Sequence, residues 1–299
     1  MRDEYRFDGR VAVVTGAGRG MGRAYALLLA QRGAAVVVND LGGAMDGTGT
    51  DVGPAEEVVR EITAAGGTAK SDGSDVANVS GAQAVVDGAL DRFGRVDILI
   101  NNAGIIRWAG FPEADEDNLA SHLAVHTVGS FNTARAAWPH MSEAGYGRIV
   151  MTTSSGVFGL PNNTSYATAK AAVIGLSRSL AVAGASHDIK VNLIAPAAVT
   201  RMAGGGGSSD MSPELVAPMA GYLAHEACPV SGEIYSAGAG RFARVFIAET
   251  PGYVHPTAEV RIEDVAAHWQ AINDETGYSV PADLVSWSAA FLSHLPKQA

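Results

Sequence analysis

Two side chains that can exchange a proton stand four positions apart in the second half of this chain. Tyr166 opens and Lys170 closes the run Tyr-Ala-Thr-Ala-Lys. On a helix both side chains would lie on one face, where the ammonium favours the ionised form of the phenol. A free tyrosine has a pKa of about 10, so a base near neutral pH needs such a neighbour. The spacing therefore predicts a proton-transfer pair.

A glycine-rich turn lies about 150 residues earlier in the chain. The run Thr-Gly-Ala-Gly-Arg-Gly-Met-Gly follows the apolar segment 11–14 and opens a helical pattern. Such a turn lets a nucleotide pyrophosphate approach the backbone amides at a helix N-terminus. Asp40 follows Gly22 by 18 positions and ends the next apolar run, where a carboxylate can bind ribose hydroxyls. A dinucleotide cradle and a proton-transfer pair together predict hydride chemistry.

Short β-branched runs alternate with helical patterns over residues 1–240. This alternation predicts an α/β fold, a doubly wound parallel sheet of the Rossmann type with about seven strands. The predicted strands are 11–14, 34–38, 68–72, 96–100, 148–152, 190–194 and 232–236. We expect 241–299 to be a C-terminal extension, with helices near 263–273 and 281–294. Its aromatic residues are too apolar to stay in solvent, so it is expected to pack on the core or on a neighbouring subunit.

Composition narrows the class of partner. The chain has 299 residues, 47% of them hydrophobic, and a net charge of −10, which disfavours nucleic acid and anionic membranes. No apolar run is long enough to span a membrane, and the charged N-terminus does not resemble a signal peptide. One cysteine excludes an internal disulfide and fits a reducing compartment. We therefore expect a small-molecule substrate and a cytoplasmic location.

A fourth motif makes a family resemblance specific. Asn101-Asn102-Ala103-Gly104 follows the fourth predicted strand, and the ordered motifs together resemble the short-chain dehydrogenase/reductase family over roughly residues 8–240. The resemblance implies that Tyr166 exchanges the hydroxyl proton of a secondary alcohol. It also implies that Lys170 binds the nicotinamide ribose, that 101–104 line the adenine side, and that the protein forms a homodimer or homotetramer.

The expected cofactor is NAD rather than NADP. Asp40 would repel a 2′-phosphate by roughly 1 to 4 kcal/mol, whereas Arg19 in the glycine turn argues mildly for NADP. Asp75 and Val76 match the adenine contact of the family, although Asp75 can also be read as a helix cap. The residues predicted to bind the cofactor are Gly16, Gly18, Arg19, Gly20, Met21, Gly22, Asp40, Asp75, Val76, Asn102, Ala103, Gly104, Tyr166, Lys170, Pro196, Val199 and Thr200.

The family also places a serine against the substrate oxygen, and three hydroxyls compete for this role. The family spacing of 13 residues before the tyrosine leads to Thr153. Alignment by the strand 148–152 leads instead to Ser154, and strand register is harder to shift than loop length. We therefore predict Ser154, with Thr153 and Ser155 as alternatives.

His126 stands where most family members carry an asparagine that holds a water relay from the lysine. Histidine can donate and accept a hydrogen bond, so His126 is a candidate catalytic residue whose charge state would matter near neutral pH. His122 and His126 also have a spacing that suits a metal on a helix, yet no carboxylate motif accompanies them. We expect no metal site.

Further runs resemble one branch of the family, the (R)-3-hydroxyacyl-CoA dehydrogenase part of multifunctional β-oxidation enzymes, which also oxidises 17β-hydroxysteroids. These runs are 22–27, 38–43 and 237–240, together with His126. The branch implies a secondary alcohol beside an acyl thioester or another bulky apolar group. Residues 201–229 are expected to form a hinged substrate lid, because a Gly-rich opening is followed by a helical pattern. Two alternatives remain open: an NADP-dependent ketoreductase, and a dinucleotide-binding sensor that has lost catalysis.

Overall fold

The computed structural model describes residues 4–199, 209–257 and 259–295. The predictions for Thr200 and for the opening of the lid, 201–208, lie outside these residues.

A mostly parallel sheet forms the centre of the fold. Its strands are β1 Val11–Thr15, β2 Ala35–Asn39, β3 Thr68–Asp72, β4 Ile98–Asn101, β5 Gly147–Thr152, β6 Ile189–Pro196, β7 Ile234–Gly238 and β8 Arg241–Val245. Their order across the sheet is β3-β2-β1-β4-β5-β6-β7-β8, and every pairing from β3 to β7 is parallel. The chain reverses its direction of travel between β1 and β4, so a crevice opens there at the carboxyl ends of the strands.

Helices cover the sheet on both faces. They are α1 Gly20–Gln31, α2 Gly53–Ala64, α3 Val79–Phe93, α4 Glu116–His122, α5 Gly129–Ala144, α6 Thr164–Gly184 and α7 Ala217–Leu223. Helix α1 packs against α2 and α7, and α5 packs against α3 and α6. All five residues of β1 are buried, as a strand covered on both faces requires.

The prediction of seven strands is wrong by one, because β8 follows β7 after the two-residue turn Ala239-Gly240. Both turn residues have positive φ, 49° and 73°. A turn this short joins antiparallel strands only. Ala-Gly is not one of the common hairpin sequences, and β8 is largely exposed. The sequence around 239–245 therefore shows neither a typical turn nor the alternation of apolar and polar residues that indicates a strand.

The predicted lid, 201–229, includes α7, but this helix is packed into the core. Ala217, Ala220 and Leu223 are buried and belong to the hydrophobic core that α1 also joins. A hinged cover would have to remove these side chains from the core each time it opened, at a cost of about 25 cal/mol for each Å² of apolar surface. This helix is therefore part of the framework of the fold.

Contacts within the chain divide it after Arg244 into two units. The described part of the second unit contains three short helices, α8 Ile262–Ala267, α9 Trp269–Ile272 and α10 Leu284–Phe291. Glu249 and Ser279 form a β-bridge, and the rings of Tyr253 and His268 stack with centroids 3.6 Å apart. None of its described residues is fully buried. Packing of this unit on another surface stays a prediction.

Among the residues described, none of the helices combines the length and the apolar character needed to cross a membrane.

Candidate active site

Lys170 is buried beneath the carboxyl end of β5. Its side chain lies in α6, one turn after Tyr166, and only 3% of the residue is exposed. The Nζ atom donates a hydrogen bond to the carbonyl oxygen of Thr152 at 2.8 Å and lies 5.6 Å from the centroid of the Tyr166 ring. Burial lowers the pKa of Lys170 to about 7. The ammonium therefore loses its proton far more readily than an ordinary lysine does.

The phenol of Tyr166 behaves differently from the sequence expectation. Burial raises the pKa of Tyr166, and a hydrogen bond with the side chain of Ser154 acts in the opposite direction. The sequence favours a lowered pKa, but the pKa of Tyr166 is raised, because desolvation of the phenol outweighs the hydrogen bond with Ser154. Tyr166 is therefore a neutral phenol whose proton must be moved during a reaction.

Ser154 is the hydroxyl that contacts Tyr166. It follows β5 in an extended conformation, and its Oγ accepts a hydrogen bond from the amide of Gly156 at 3.0 Å. Thr153 is buried and donates to the carbonyl oxygen of Lys170 at 2.9 Å, so its hydroxyl supports α6. Ser155 is exposed and begins a short 3₁₀ turn. The strand-based prediction thus matches the residue that the fold brings to Tyr166, and its catalytic role stays a prediction.

His126 lies in a π-helical turn, Leu123–Val128, between α4 and α5. It is 1% exposed, and its Nε2 lies 2.8 Å from the carbonyl oxygen of Ile105. A carbonyl accepts, so Nε2 carries the proton and Nδ1 is left as a buried acceptor without a partner. Burial, assisted by the charge of Lys170, holds the pKa of His126 well below its ordinary value. The expectation that its charge changes near neutral pH is therefore wrong.

His122 was singled out from the sequence for its metal-compatible spacing alone, yet it is part of this site. It is fully buried; its Nδ1 donates to the carbonyl oxygen of Asn118 at 2.7 Å and its Nε2 accepts from the amide of Arg107 at 3.2 Å. The imidazoles of His122 and His126 stack 6.0 Å apart, and both meet the Tyr166 ring edge to face. The four-residue spacing of His122 and His126 did indicate a shared helix face. It did not indicate that both imidazoles would contact Tyr166.

The glycine turn fits an anionic nucleotide on its own geometry. Gly16 has φ +62°, and a Cβ there would lie 2.8 Å from the Cα of Ala103. Helix α1 begins at Gly20, with no side-chain cap from Arg19 and no acidic residue in its first turn. The first amides of a helix have no partner within it and carry a partial positive charge. These amides are suited to a pyrophosphate.

Asp40 faces the glycine turn and is held there by two amides. Its Oδ2 accepts from the amide of Gly18 and its Oδ1 from the amide of Gly42, both at 2.7 Å. The crevice at the reversal of strand order is lined by ten of the residues predicted to bind the cofactor, namely Gly16, Arg19, Gly20, Met21, Asp40, Asp75, Val76, Asn102, Ala103 and Gly104. Gly18 packs against the Asp40 carboxylate and Gly22 is buried within α1. Both residues therefore support the turn without lining the crevice.

Asn102 and Thr15 tie the two central strands together at the edge of this crevice. The Nδ2 of Asn102 donates to the carbonyl oxygens of Thr15 and Gly16 at 3.0 Å. The hydroxyl of Thr15 accepts from the amides of Asn102 and Ala103, also at 3.0 Å. Thr15 was not among the residues predicted from the sequence, because a strand-end threonine carries no functional signal of its own.

The remaining predicted contacts lie further along the sheet edge. Asp75 does not cap a helix, since Asn78 is the N-cap of α3; the Asp75 carboxylate instead accepts from the amide of Ala77 at 2.9 Å. Pro196 ends β6, and the amide of Val199 donates to the carbonyl oxygen of Met211 at 2.8 Å. Within the described part of the chain, no group of three or more metal-ligating side chains is found.

Comparisons with known proteins identify the family of this chain. The family model of the short chain dehydrogenases matches residues 10–205. A short-chain type dehydrogenase/reductase of Mycobacterium tuberculosis is 43% identical over 283 residues, which cover 91% of this chain and 96% of that protein. Peroxisomal multifunctional enzyme type 2 of Drosophila melanogaster is 43% identical over 277 residues, 90% of this chain but 46% of its own length. This chain thus spans about half of that relative.

Two solved structures have similar folds. The full-length Drosophila enzyme superimposes with a TM-score of 0.81 at 34% identity, covering 96% of this chain and 49% of that one. A 7α-hydroxysteroid dehydrogenase complexed with NADH and 7-oxo glycochenodeoxycholic acid gives a TM-score of 0.71 at 30% identity, covering 79% of this chain and 95% of that one. The chain belongs to the short-chain dehydrogenase/reductase family and is an oxidoreductase that acts on CH–OH groups with a nicotinamide dinucleotide.

Proposed function

We propose that this protein is an NAD-dependent dehydrogenase that interconverts a secondary alcohol and a ketone on an acyl-CoA, a steroid or another bulky apolar compound. One observation carries the proposal: the contact between Ser154 and Tyr166 lies over buried Lys170, at the sheet edge that also forms the nucleotide crevice. The nicotinamide, when bound, accepts or gives up the hydride.

The chain's own residues manage the proton. Ser154 binds the substrate oxygen through its hydroxyl. The phenol of Tyr166 first gives its own proton to the neutral amine of Lys170, and the resulting phenolate takes the hydroxyl proton as the carbon-bound hydrogen leaves as a hydride. Lys170, with a pKa of about 7, holds or releases a proton next to Tyr166 near neutral pH. The unpartnered Nδ1 of His126 is a buried acceptor beside the Tyr166 ring and is suited to a water relay. In the reverse direction the same groups return the proton to a ketone oxygen.

The position of Asp40 supports NAD over NADP. Two backbone amides fix its carboxylate, so it cannot turn away from a 2′-phosphate. The NADH-bound hydroxysteroid dehydrogenase is consistent with this choice. Arg19 lines the same crevice and favours the alternative, an NADP-dependent ketoreductase. Tighter binding of NADPH than of NADH would decide for that alternative.

Exposed apolar side chains beside the catalytic residues support a bulky substrate. Trp108 is 52% exposed, Phe111 79% and Phe158 76%. A bridge between Ala109 and Asn163 joins the two segments that carry them, and Asn163 is the N-cap of α6, three residues before Tyr166. Apolar groups gathered at the surface commonly mark a binding site. The name of the hydroxysteroid dehydrogenase points to steroid alcohols, and the resemblance to the (R)-3-hydroxyacyl-CoA branch adds acyl-CoA alcohols to the compounds to test first.

We also propose that copies of the chain pair through α5 and α6 as a homodimer or homotetramer. Phe131 on α5 and Val182 on α6 are 48% and 55% exposed, and Phe131 lines a surface groove together with Leu180 of α6. An interface between copies would cover apolar groups gathered in this way. Light scattering coupled to gel filtration measures the mass, and a monomer at micromolar concentration would contradict this part of the proposal.

The test of the proposed function follows NADH formation with a panel of 3-hydroxyacyl-CoA, hydroxysteroid and smaller secondary alcohols. We expect turnover that is fastest with the bulky compounds. Tyr166→Phe should abolish turnover while NADH binding, followed by its fluorescence, is retained. NADH binding without turnover of any alcohol by the unaltered protein would favour the sensor alternative.

A further inference from the structure

The loop between β2 and α2, residues 41–52, has an ordered internal structure despite its exposure. The amide of Asp51 donates to the carbonyl oxygen of Leu41 at 2.9 Å, and the amide of Ala44 donates to that of Thr48 at 2.7 Å. The two ends of the loop are thus in contact, as in a compact Ω-loop. We refer to residues 41–52 as the strap.

The strap crosses the nucleotide crevice and touches its opposite wall. Its carbonyl oxygen at Met45 accepts from the amide of Ile106 at 2.9 Å. Gly47 faces Ile105, and a Cβ built on Gly47 would lie 3.1 Å from Ile105 Cγ2. Five strap residues and Ile105 line the same crevice as the glycine turn, the five being Leu41, Gly43, Ala44, Met45 and Gly47.

The wall that the strap touches is rigid. The Nε2 of His126 donates to the carbonyl oxygen of Ile105 at 2.8 Å. His122 accepts from the amide of Arg107, and the side chain of Asn118 donates to the carbonyl oxygen of Arg107 at 3.0 Å. Segment 105–107 is therefore fixed by its backbone, on both sides of Ile106, to α4 and to the π-helical turn 123–128.

The strap is held in place by fewer buried contacts than the wall that it touches. Residues 44–52 are exposed, so they bury little apolar surface that would resist opening. Positive φ angles at Gly42, Gly47 and Gly49 allow the backbone of the strap to bend at three points. The strap can therefore move away from Ile105 and Ile106 while the wall stays in place.

We propose that the strap closes over the adenosine half of the bound dinucleotide and that its opening limits how fast the dinucleotide enters and leaves. This inference rests on the proposed function, because it assumes that a dinucleotide occupies the crevice. The strap acts as a gate through the contact of Gly47 with Ile105 and of Met45 with Ile106. Neither contact involves Ser154, Tyr166 or Lys170.

A reversible cross-link tests the gate directly. The Cβ built on Gly47 would lie 3.9 Å from the Cβ of Ile105, a separation that suits a disulfide. The double variant Gly47→Cys with Ile105→Cys is oxidised with and without NADH present, and free thiols are counted to confirm the cross-link. The native Cys228 is buried and should not compete. The two single variants are controls for the substitutions themselves.

We expect oxidation to slow both the association and the dissociation of NADH by about tenfold or more, measured by stopped-flow fluorescence. A reducing thiol should restore both rates in the double variant and change nothing in the single variants. Equal exchange rates in the cross-linked and reduced forms would overturn the inference.

Two glycines of the strap provide a second test without cysteines. Gly47→Ala and Gly49→Ala both place a side chain at positive φ, +89° and +76°, but only the Cβ at Gly47 meets Ile105; that at Gly49 meets nothing within 4 Å. We expect NADH to dissociate about three- to tenfold faster from Gly47→Ala and at the original rate from Gly49→Ala. Equal effects of the two variants would argue that strain, not the Ile105 contact, governs exchange.

The measurements separate this inference from the proposed function. A protein that binds no dinucleotide at all would contradict the proposed function. A protein that binds NADH and oxidises alcohols, but exchanges NADH at the same rate with the strap locked or free, would contradict only the gate.

Discussion

The imidazole of His126 meets the ring of Tyr166 edge to face, with centroids 5.2 Å apart and planes at 88°. The same imidazole is bound through Nε2 to the backbone of Ile105, which lines the nucleotide crevice. One neutral, buried side chain thus connects the reactive phenol to the wall of the cofactor site. A substitution at His126 should therefore affect both Tyr166 and the wall of the nucleotide crevice.

His126→Leu should lower the free energy of unfolding by about 1 to 3 kcal/mol, because the buried carbonyl of Ile105 would lose its donor. His126→Gln keeps an N–H near the position of Nε2 and should recover much of that loss. Urea unfolding of the two variants measures the difference. Equal stability of the two would show that the hydrogen bond to Ile105 contributes nothing.

Gly104→Ala should disturb the catalytic site from behind. A Cβ at Gly104 would clash with the Cε1 of His126, so the rigid ring must shift and the Tyr166 ring with it. We expect about a tenfold or greater fall in kcat and a loss of about 1 to 3 kcal/mol of stability. Gly175→Ala on α6 is the matched control, since its Cβ meets nothing within 4 Å.

In an exposed helical position that control should instead stabilise the protein, by about 0.5 to 1 kcal/mol, with kcat unchanged. A Gly104→Ala variant that is as active as Gly175→Ala would contradict the packing described for His126.

Burial of Lys170 should make stability depend on pH in a defined direction. Its pKa falls from 10.5 to about 7 on folding, so between these values the unfolded chain binds more protons than the folded one. The free energy of unfolding therefore increases as the pH is raised from 7 towards 10.5, and it is lower at pH 7 than at pH 9.5. Lys170→Met should remove this contribution, which is on the order of 3 kcal/mol between pH 7 and 9.5.

Urea unfolding of the cofactor-free protein and of Lys170→Met at the two pH values provides the measurement. The comparison between the two proteins cancels the other titrating groups. The same pH dependence in both would mean that Lys170 is not desolvated in solution.

Asp40→Ser should change the choice of dinucleotide. Removing the carboxylate removes its repulsion of a 2′-phosphate, and we expect the ratio of Kd for NADPH to Kd for NADH to fall by about tenfold. Asp46→Ser carries the same change of charge on the strap, where the Asp46 carboxylate binds Thr48 and does not line the crevice. The ratio should stay constant in Asp46→Ser, and an equal change in both variants would point to net charge alone.

Ser154→Ala should lower kcat with a bulky alcohol by about a hundredfold or more, because the substrate oxygen loses a hydrogen-bond partner that also contacts Tyr166. Thr153→Ser keeps the hydroxyl that supports α6 and is the control. A larger loss of kcat in Thr153→Ser than in Ser154→Ala would move the catalytic role to Thr153.

Much of this site could be inferred from local patterns. The four-residue spacing of Tyr166 and Lys170 determines a shared helix face, and the glycines after β1 determine a turn that backbone or phosphate can approach closely. Asp40 was found because parallel strands end at one edge of the sheet, so the residue after β2 must lie near the glycine turn. Each inference depends on residues a few positions apart or on a general rule of sheet topology.

The protonation states and partners were decided by the tertiary structure alone. The pKa of Lys170 follows from its burial under β5, and the neutrality of His126 follows from burial and from the charge of Lys170 on another helix. The strap meets Ile105 and Ile106 about 60 residues later in the chain, a contact that no periodicity encodes. Local chemistry specifies which residues can react, but desolvation and long-range packing depend on every neighbour at once, so they appear only when the chain is folded.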